Sequence, residues 1–187
     1  MRKEFLPSLL LTVLCILFFS GFYPLLMWGV AQLAPNKGEG FVVSQNDKVY
    51  YKNIAQNFTG DKYFWPRPSA VAYNAAGSGG SNKGPSNPDY LASVEARIDT
   101  FLVHNQGVKR SEISSDMVTA SGSGLDPDIS VASAMLQVQR VAHARQISAE
   151  DVKQIVNKVK QGPLLSIFGP GKVNVLELNI KLDQIKQ

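Results

Sequence analysis

The sequence predicts an α+β protein, in which a single N-terminal transmembrane helix is followed by one soluble domain with a small sheet and about three helices. Three observations predict it. No residue carries a charge between Glu4 and Lys37. Beyond this run, apolar side chains recur at helical spacing in several segments, and short β-prone runs flank those segments. Helices that cluster after a few strands are typical of the α+β class.

The uncharged run is long enough to cross a bilayer as a helix, for which about 20 apolar residues suffice. Its densest part extends from Leu9 to Met27. Pro24 is expected to kink this helix or to mark its outer end, because proline removes a backbone donor. A cleaved signal peptide is the alternative, but its apolar region usually has only about 7–15 residues and ends at a small-residue cleavage site. We therefore predict a retained anchor over residues 1–34.

The remaining residues, 35–187, are enough for one domain with its own core. We find no second hydrophobic span in them, and a single helix cannot enclose a pore. A role in transport would therefore require partner chains. Arg2 and Lys3 precede the span, and such a bias favours a cytoplasmic N-terminus. The domain is then expected to be extracytoplasmic, in the periplasm of a bacterium.

The composition argues against nucleic acid as a partner and against a metal site. The formal net charge is +4, but the lysines alternate with acidic or polar residues and form no basic block interleaved with aromatic residues. Cys15 is the only cysteine and lies inside the predicted span. The domain therefore has no disulfide, and no zinc cluster with ordinary spacing can be written.

The elements of the domain follow from local signals. Residues 41–43 and 49–51 are β-prone and predict a hairpin. Residues 75–88 are nearly all Gly, Ser, Asn, Ala and Pro, which predicts a long loop, and long loops in compact domains tend to be functional or disordered. Asn87 and Pro88 then predict the capped start of a helix that runs to about His104.

Two more helices, a strand and a short final helix complete the prediction. An apolar stripe extends from Val131 to Ala142 and predicts the second helix of the domain. Ser148 resembles the cap of a third helix, which ends before Gly162. A strand is expected over residues 173–178, and the short helix then extends to Ile185.

A run of small residues, Ser121, Gly122, Ser123 and Gly124, precedes the second helix, and we call it the glycine-rich loop. Such a junction can present free backbone N–H groups to an anion or to a partner's carbonyl oxygens. The run lacks the lysine of a P-loop and the third glycine of a dinucleotide fingerprint. On the residues alone, a flexible loop with a helix cap is the other interpretation.

Several long motifs occur in a fixed order along the chain. They are QNFTG at 56–60, YFWPRPSA at 63–70, SGGSN at 78–82, the run 118–130 with the glycine-rich loop, Gln137, RVAHAR at 140–145 and VNVLELN at 173–179. Together with the N-terminal span, these motifs resemble the KdpC subunit of the Kdp-type potassium-transporting ATPase. The resemblance covers nearly the whole chain.

The resemblance implies an accessory subunit of an ATP-driven potassium uptake pump in the bacterial inner membrane. Such a subunit assists assembly and raises the ATP affinity of the catalytic subunit. Its partners would be a potassium-channel-like subunit and an ATP-hydrolysing P-type subunit. This chain has neither the Asp-Lys-Thr-Gly motif of P-type ATPases nor a T-V-G-Y-G filter. We therefore expect no catalytic residue and no covalently bound cofactor here, with ATP acting through the complex.

The resemblance also associates Gln137 with nucleotide and likens residues 121–124 to an ABC-transporter signature. On the helical pattern alone, Gln137 is instead a polar residue on the exposed side of an amphipathic helix. ATP is cytoplasmic, whereas the domain is expected outside. We therefore favour an indirect effect on ATP affinity, a coupling of roughly 1–3 kcal/mol transmitted through the membrane helix and the catalytic partner. Direct contact with ATP is the alternative.

Two surfaces are candidates for partner docking. Tyr63, Phe64, Trp65 and Arg67 form either a docking edge, since aromatic residues and arginine dominate interface hot spots, or an aromatic corner of the core. Asn82 and the Ser-Gly loop around it (residues 78–82) either present backbone groups to a partner or form an ordered surface loop.

A second class of function is a membrane-anchored extracytoplasmic binding module or an enzyme of unknown substrate. It would need a convergent polar pocket, which the sequence does not show. His104 and His143 both fall on predicted helices, and no G-x-S-x-G motif marks a nucleophile.

Overall fold

The computed structural model describes residues 2–45 and 47–185. The chain forms two units, Met1–Val42 and Val43–Gln187. The first unit is helical, and the second contains most of the remaining elements. The α+β class predicted from the sequence, with one N-terminal apolar helix, is confirmed.

The first unit is a long apolar helix with one wide turn. It consists of α1 (Arg2–Leu17), a π-helical turn (Phe18–Phe22) and α2 (Tyr23–Ala31). The stretch Glu4–Ala31 is long and apolar enough to cross a membrane, with a mean hydropathy of 2.3, and none of it is buried within the protein. The core helix of a globular domain would instead be covered by neighbouring side chains.

Pro24 does not mark the end of this helix, so that part of the prediction is wrong. The helix continues to Ala31, and Pro24 lies in the first turn of α2. Proline lacks an N–H and its ring crowds the carbonyl four residues earlier. The π-helical turn immediately before it widens the hydrogen-bond ladder at that point, so the helix can pass the proline.

The predicted hairpin and the first helix of the domain are present. β1 (Val42–Gln45) pairs with β2 (Lys48–Tyr51) in a two-stranded sheet. α3 (Pro88–His104) begins with proline, and the side chain of its cap, Asn87, accepts a hydrogen bond from the N–H of Tyr90. Two 3₁₀ turns, Arg110–Glu112 and Ser115–Met117, follow.

The core of the domain is built on two consecutive helices. α4 (Val131–Arg145) and α5 (Ala149–Val159) are capped by Ser130 and Ser148, whose side chains accept hydrogen bonds from N–H groups in the first turn. Gln146 has a left-handed conformation (φ 57°) that closes α4. The largest buried side chains of the two helices include Val138, Val141, Val152 and Val156.

The C-terminal strand is shorter than predicted, and the helix after it begins earlier. β4 (Lys172–Asn174) pairs antiparallel with β3 (Asp128–Ser130) in a second small sheet. Asn174 accepts a hydrogen bond from the N–H of Glu177 and caps α6 (Val175–Asp183). Leu178 and Leu182, one helical turn apart, are both buried. The prediction of a strand over 175–178 is wrong, because the asparagine cap and this spacing outweigh the alternating pattern.

Candidate functional site

The backbone of Phe64 and Trp65 is held by two side-chain amides instead of a neighbouring strand. Asn179 of α6 accepts a hydrogen bond from the N–H of Phe64 (2.8 Å) and donates one to its carbonyl (3.0 Å). Gln137 of α4 makes the same pair of bonds with Trp65, at 2.7 and 3.4 Å. The two amides are 1% and 0% exposed. Each therefore replaces one hydrogen-bonded residue pair of a sheet.

Arg140 of α4 joins this arrangement to the preceding loop. Its side chain is buried, and its guanidinium group donates to four oxygen atoms that belong to four different residues. They are Gln137 Oε1 (2.7 Å), Asn105 Oδ1 (3.0 Å) and the carbonyl oxygens of Asp61 (2.8 Å) and Tyr63 (3.0 Å). The geometry uses the fixed fork of arginine to fasten three segments of the chain at one point.

The charge of Arg140 is stabilised mainly by neutral groups. Burial lowers the pKa of Arg140 to about 10, and the nearby Asp61 carboxylate opposes this shift. The side chain thus remains a cation at neutral pH. Its closest approach to the Asp61 carboxylate is 3.8 Å, and its guanidinium carbon lies 4.3 Å from the centroid of the Trp65 ring, within the range of a cation–π contact.

An open, mainly apolar groove of about 480 Å³ lies beside Trp65 and α3. The Trp65 ring meets Phe101 and His104 edge to face, with centroids 6.4 and 4.9 Å apart. Nδ1 of His104 lies 2.8 Å from Oδ1 of Asp61 at the surface. The groove is therefore bounded by the same residues that the buried amides and Arg140 position.

The glycine-rich loop packs against the Ser-Gly loop, although the two are far apart in sequence. The N–H of Gly79 and the hydroxyl of Ser78 both donate to the carbonyl of Ser123, at 2.8 and 3.0 Å. Gly124 has a φ of +68°, and a Cβ there would lie 2.6 Å from Val71 Cγ2 and 2.8 Å from the Gly79 carbonyl oxygen. Glycine at this position allows both the left-handed backbone and the close approach.

Several backbone donors near α4 are already engaged within the domain. The N–H groups of Ser121 and Gly124 donate to main-chain carbonyls at 3.1 and 3.2 Å. The carboxylate of Asp116 accepts hydrogen bonds from Ser130 N–H (2.8 Å) and from the Ser133 hydroxyl (2.6 Å) at the start of α4. A carboxylate thus occupies the helix end at which an external anion would bind.

The residues that the resemblance associates with nucleotide fall into two groups. Gln137, Ser121 and Gly124 are buried, whereas Gly122 and Ser123 are exposed. The interpretation of Gln137 as a residue on the exposed side of its helix is wrong, because Gln137 projects into the core. Its role toward nucleotide stays a prediction.

The candidate docking residues are also divided by burial. Phe64 is 0% exposed, so its side chain offers no surface to a partner. Tyr63, Trp65 and Arg67 are partly buried, and Asn82 is exposed with a left-handed φ of 53°.

Two of the partly buried docking residues are tied to other segments of the domain. Arg67 pairs with Asp126 at 2.8 Å. The Tyr63 hydroxyl donates to Asp183 at 3.3 Å. Burial and the Asp183 carboxylate raise the pKa of Tyr63. Both side chains therefore have partners within the domain.

Sequence reasoning assigned no role to Asn179, Arg140, Asn105 or Asp116. One signal was available for Arg140 and Gln137. Both lie at the spacing of the buried stripe of α4, which includes Ala134 and Val141. A polar residue at a core position needs hydrogen-bond partners, and this requirement identifies a buried network. Within residues 2–45 and 47–185, no group of three or more His, Cys, Asp or Glu residues is arranged to hold a metal ion.

Comparison with known proteins identifies the family. The family described as "KdpC: K+-transporting ATPase, c chain" matches residues 5–184. Relatives named "Potassium-transporting ATPase KdpC subunit" occur in Flavobacterium psychrophilum (55% identical, covering 98% of this chain and 100% of the relative) and Bacteroides fragilis (53%, 98% of each). Another, from Caldanaerobacter subterraneus, is 43% identical over 100% of this chain and 98% of the relative. The chain therefore belongs to the KdpC family, the c chains of K+-transporting ATPases.

Proposed function

We propose that this chain is the non-catalytic accessory subunit of its pump, which assists assembly and raises the apparent ATP affinity of the catalytic P-type subunit. Membership of the family makes the chain a subunit of a K+-transporting ATPase complex. The partners in this proposal are a channel-like subunit that carries potassium and a P-type subunit that hydrolyses ATP. This chain holds no cofactor of its own in the proposal.

The burial of Gln137 is the observation that supports an indirect effect on ATP. Its amide oxygen accepts hydrogen bonds from Trp65 and Arg140, both at 2.7 Å. For the amide to reach a nucleotide, these bonds would have to break, and a buried polar group left unpaired costs about 1–3 kcal/mol. That cost is as large as a typical allosteric coupling of roughly 1–3 kcal/mol. We infer that Gln137 positions the Phe64–Trp65 segment, and that ATP affinity responds through the partner.

The exposed part of the glycine-rich loop, Gly122 and Ser123, is the remaining candidate for direct contact with ATP. The Ser123 carbonyl already accepts two hydrogen bonds from the Ser-Gly loop. The nearby start of α4 carries the Asp116 carboxylate, which would repel phosphate. Both features favour the indirect account.

The proposed topology has residues 1–34 as the anchor, a cytoplasmic N-terminus and residues 35–187 in the periplasm. The apolar helix and the basic Arg2 and Lys3 support it. A protease added to intact spheroplasts should therefore digest the domain from Gly38 onward. Protection of the domain until the membrane is broken would contradict this topology and would make direct contact with cytoplasmic ATP credible.

We propose further that the pump docks against the groove beside Trp65. Ala96 of α3 is exposed and lines this groove, whereas Ala92, one turn earlier, is exposed and does not. Ala96→Arg should place a long charged side chain in the groove and reduce the amount of chain that copurifies with the other subunits. Ala92→Arg is the matched control and should copurify normally, because exposed substitutions seldom change stability by more than about 0.5 kcal/mol.

The same preparations test the effect on ATP. Pump purified without this chain, or with Ala96→Arg, should need more ATP for half-maximal potassium-stimulated hydrolysis than pump with the wild-type chain or Ala92→Arg. The purified full-length chain should not bind ATP. An unchanged ATP requirement without the chain would contradict the proposed function, and micromolar ATP binding by the chain alone would contradict the indirect account.

A further inference from the structure

The loop between α5 and β4 exposes an unusual amount of apolar surface. We call residues 162–170, with the sequence GPLLSIFGP, the apolar loop. Its four large apolar side chains are exposed by 70, 76, 78 and 61%, in the order Leu164, Leu165, Ile167 and Phe168. A contiguous apolar patch on a folded domain marks a site of interaction with another protein or with a membrane.

The backbone of the apolar loop is closed on itself. Leu164 and Phe168 exchange two hydrogen bonds, both of 2.9 Å, and the N–H groups of Ser166 and Ile167 also donate within the loop. Leu165 and Ser166 have φ values of 53° and 62°. Non-glycine residues adopt this conformation at a cost, and such strain concentrates at functional sites.

This internal hydrogen bonding suits an environment without water. In the hydrocarbon of a bilayer, each unsatisfied backbone N–H or carbonyl costs several kcal/mol, so a segment that enters must satisfy these groups itself. In the apolar loop, Pro163 and Pro170 have no N–H, and four of the other residues use theirs inside the loop. A protein socket would make no such demand, because it can supply polar partners.

The charges around the apolar loop have one sign. No acidic residue occurs between Asp151 and Glu177, whereas four lysines do. Lys158 and Lys160 are exposed and, among the described residues, have no salt bridge. Exposed lysines beside apolar side chains are typical of segments that bind the interface of an anionic membrane.

We propose that the apolar loop inserts Leu164, Leu165, Ile167 and Phe168 into the interface of a lipid bilayer, with Lys158 and Lys160 at the level of anionic headgroups. The loop would then give the domain a second attachment to the membrane, in addition to the apolar helix. This inference rests on the membrane anchoring proposed above and is independent of the effect on ATP.

The test places a fluorescent probe at the tip of the loop in the full-length chain. In a Cys15→Ser background, Ser166→Cys allows a polarity-sensitive dye to be attached without a large change in side-chain size. Ser81→Cys, in the exposed Ser-Gly loop, is the matched control. The chain is reconstituted alone into phosphatidylcholine vesicles with or without phosphatidylglycerol, and some vesicles contain lipids that carry a spin label near the headgroup.

The probe at position 166 should show blue-shifted emission and strong quenching by the spin-labelled lipid, more so with phosphatidylglycerol, whereas the probe at position 81 should show neither. Ile167→Asp, an exposed substitution, should abolish the quenching at 166. Vesicles that float with the chain but leave the probe at 166 unquenched would overturn the proposal. Shielding of the probe only when the other pump subunits are present would assign the loop to a protein contact instead. If the chain does not float with vesicles, the anchoring itself fails.

Discussion

Arg140→Ala should lower the free energy of unfolding of the domain by about 3–5 kcal/mol, the range for removing one partner of a buried ionic network. The substitution leaves Gln137 Oε1, Asn105 Oδ1 and two backbone carbonyls without the donor that they share. It also removes the cation above the Trp65 ring. Urea unfolding of the full-length chain in mild detergent, followed by far-UV circular dichroism, measures the effect.

Arg110→Ala is the matched control for this experiment. Arg110 forms a salt bridge with Glu95, but both side chains are more than half exposed. Exposed ion pairs contribute little to stability because water solvates the separated charges almost as well. The urea midpoint of Arg110→Ala should therefore stay at the wild-type value. Equal midpoints for Arg140→Ala and Arg110→Ala would show that the buried network does not stabilise the domain.

Gln137→Ala should cost about 2–4 kcal/mol of stability, since it both creates a cavity and leaves buried hydrogen-bonding groups unpaired. The groups left unpaired are the Trp65 N–H and one guanidinium nitrogen of Arg140. An exposed glutamine would behave differently, because substitutions at exposed polar positions stay within about 0.5 kcal/mol. The same urea experiment distinguishes these results.

Gln139→Ala provides the comparison within the same helix. Gln139 is exposed, and its substitution should leave the urea midpoint unchanged. In the assembled pump, Gln137→Ala should raise the ATP requirement no further than complete removal of the chain does, since the side chain acts through the position of Trp65. A wild-type stability for Gln137→Ala, combined with loss of ATP binding by the purified chain, would support direct contact with nucleotide.

The helices of the domain could be predicted because their signals are local. Asn87, Ser148 and the apolar stripe of α4 each lie within or beside the helix that they specify. The end of the chain was harder, because the alternation in residues 173–178 suits a strand and the cap at Asn174 suits a helix. Only packing against the core decides between them.

The candidate site could be predicted only in part, because its partners are distant in sequence. Gln137 bonds to a residue 72 positions away, and Ser123 bonds to a loop 45 positions away. The motifs around these residues could be recognised individually, but no local pattern indicates that the two loops pack together or that Gln137 points inward. A polar residue within an apolar stripe signals burial, but not the partner that compensates it.

The bond between Phe64 and Asn179 has a consequence for the timing of synthesis. The two residues are 115 positions apart, and at translation rates of about 5–20 residues per second the ribosome needs on the order of 10 s to travel that distance. During this interval the nascent chain has already exposed Tyr63, Phe64 and Trp65, but not the helix that secures them. The native arrangement of this segment is therefore completed late, long after the apolar helix has left the ribosome and reached the membrane machinery.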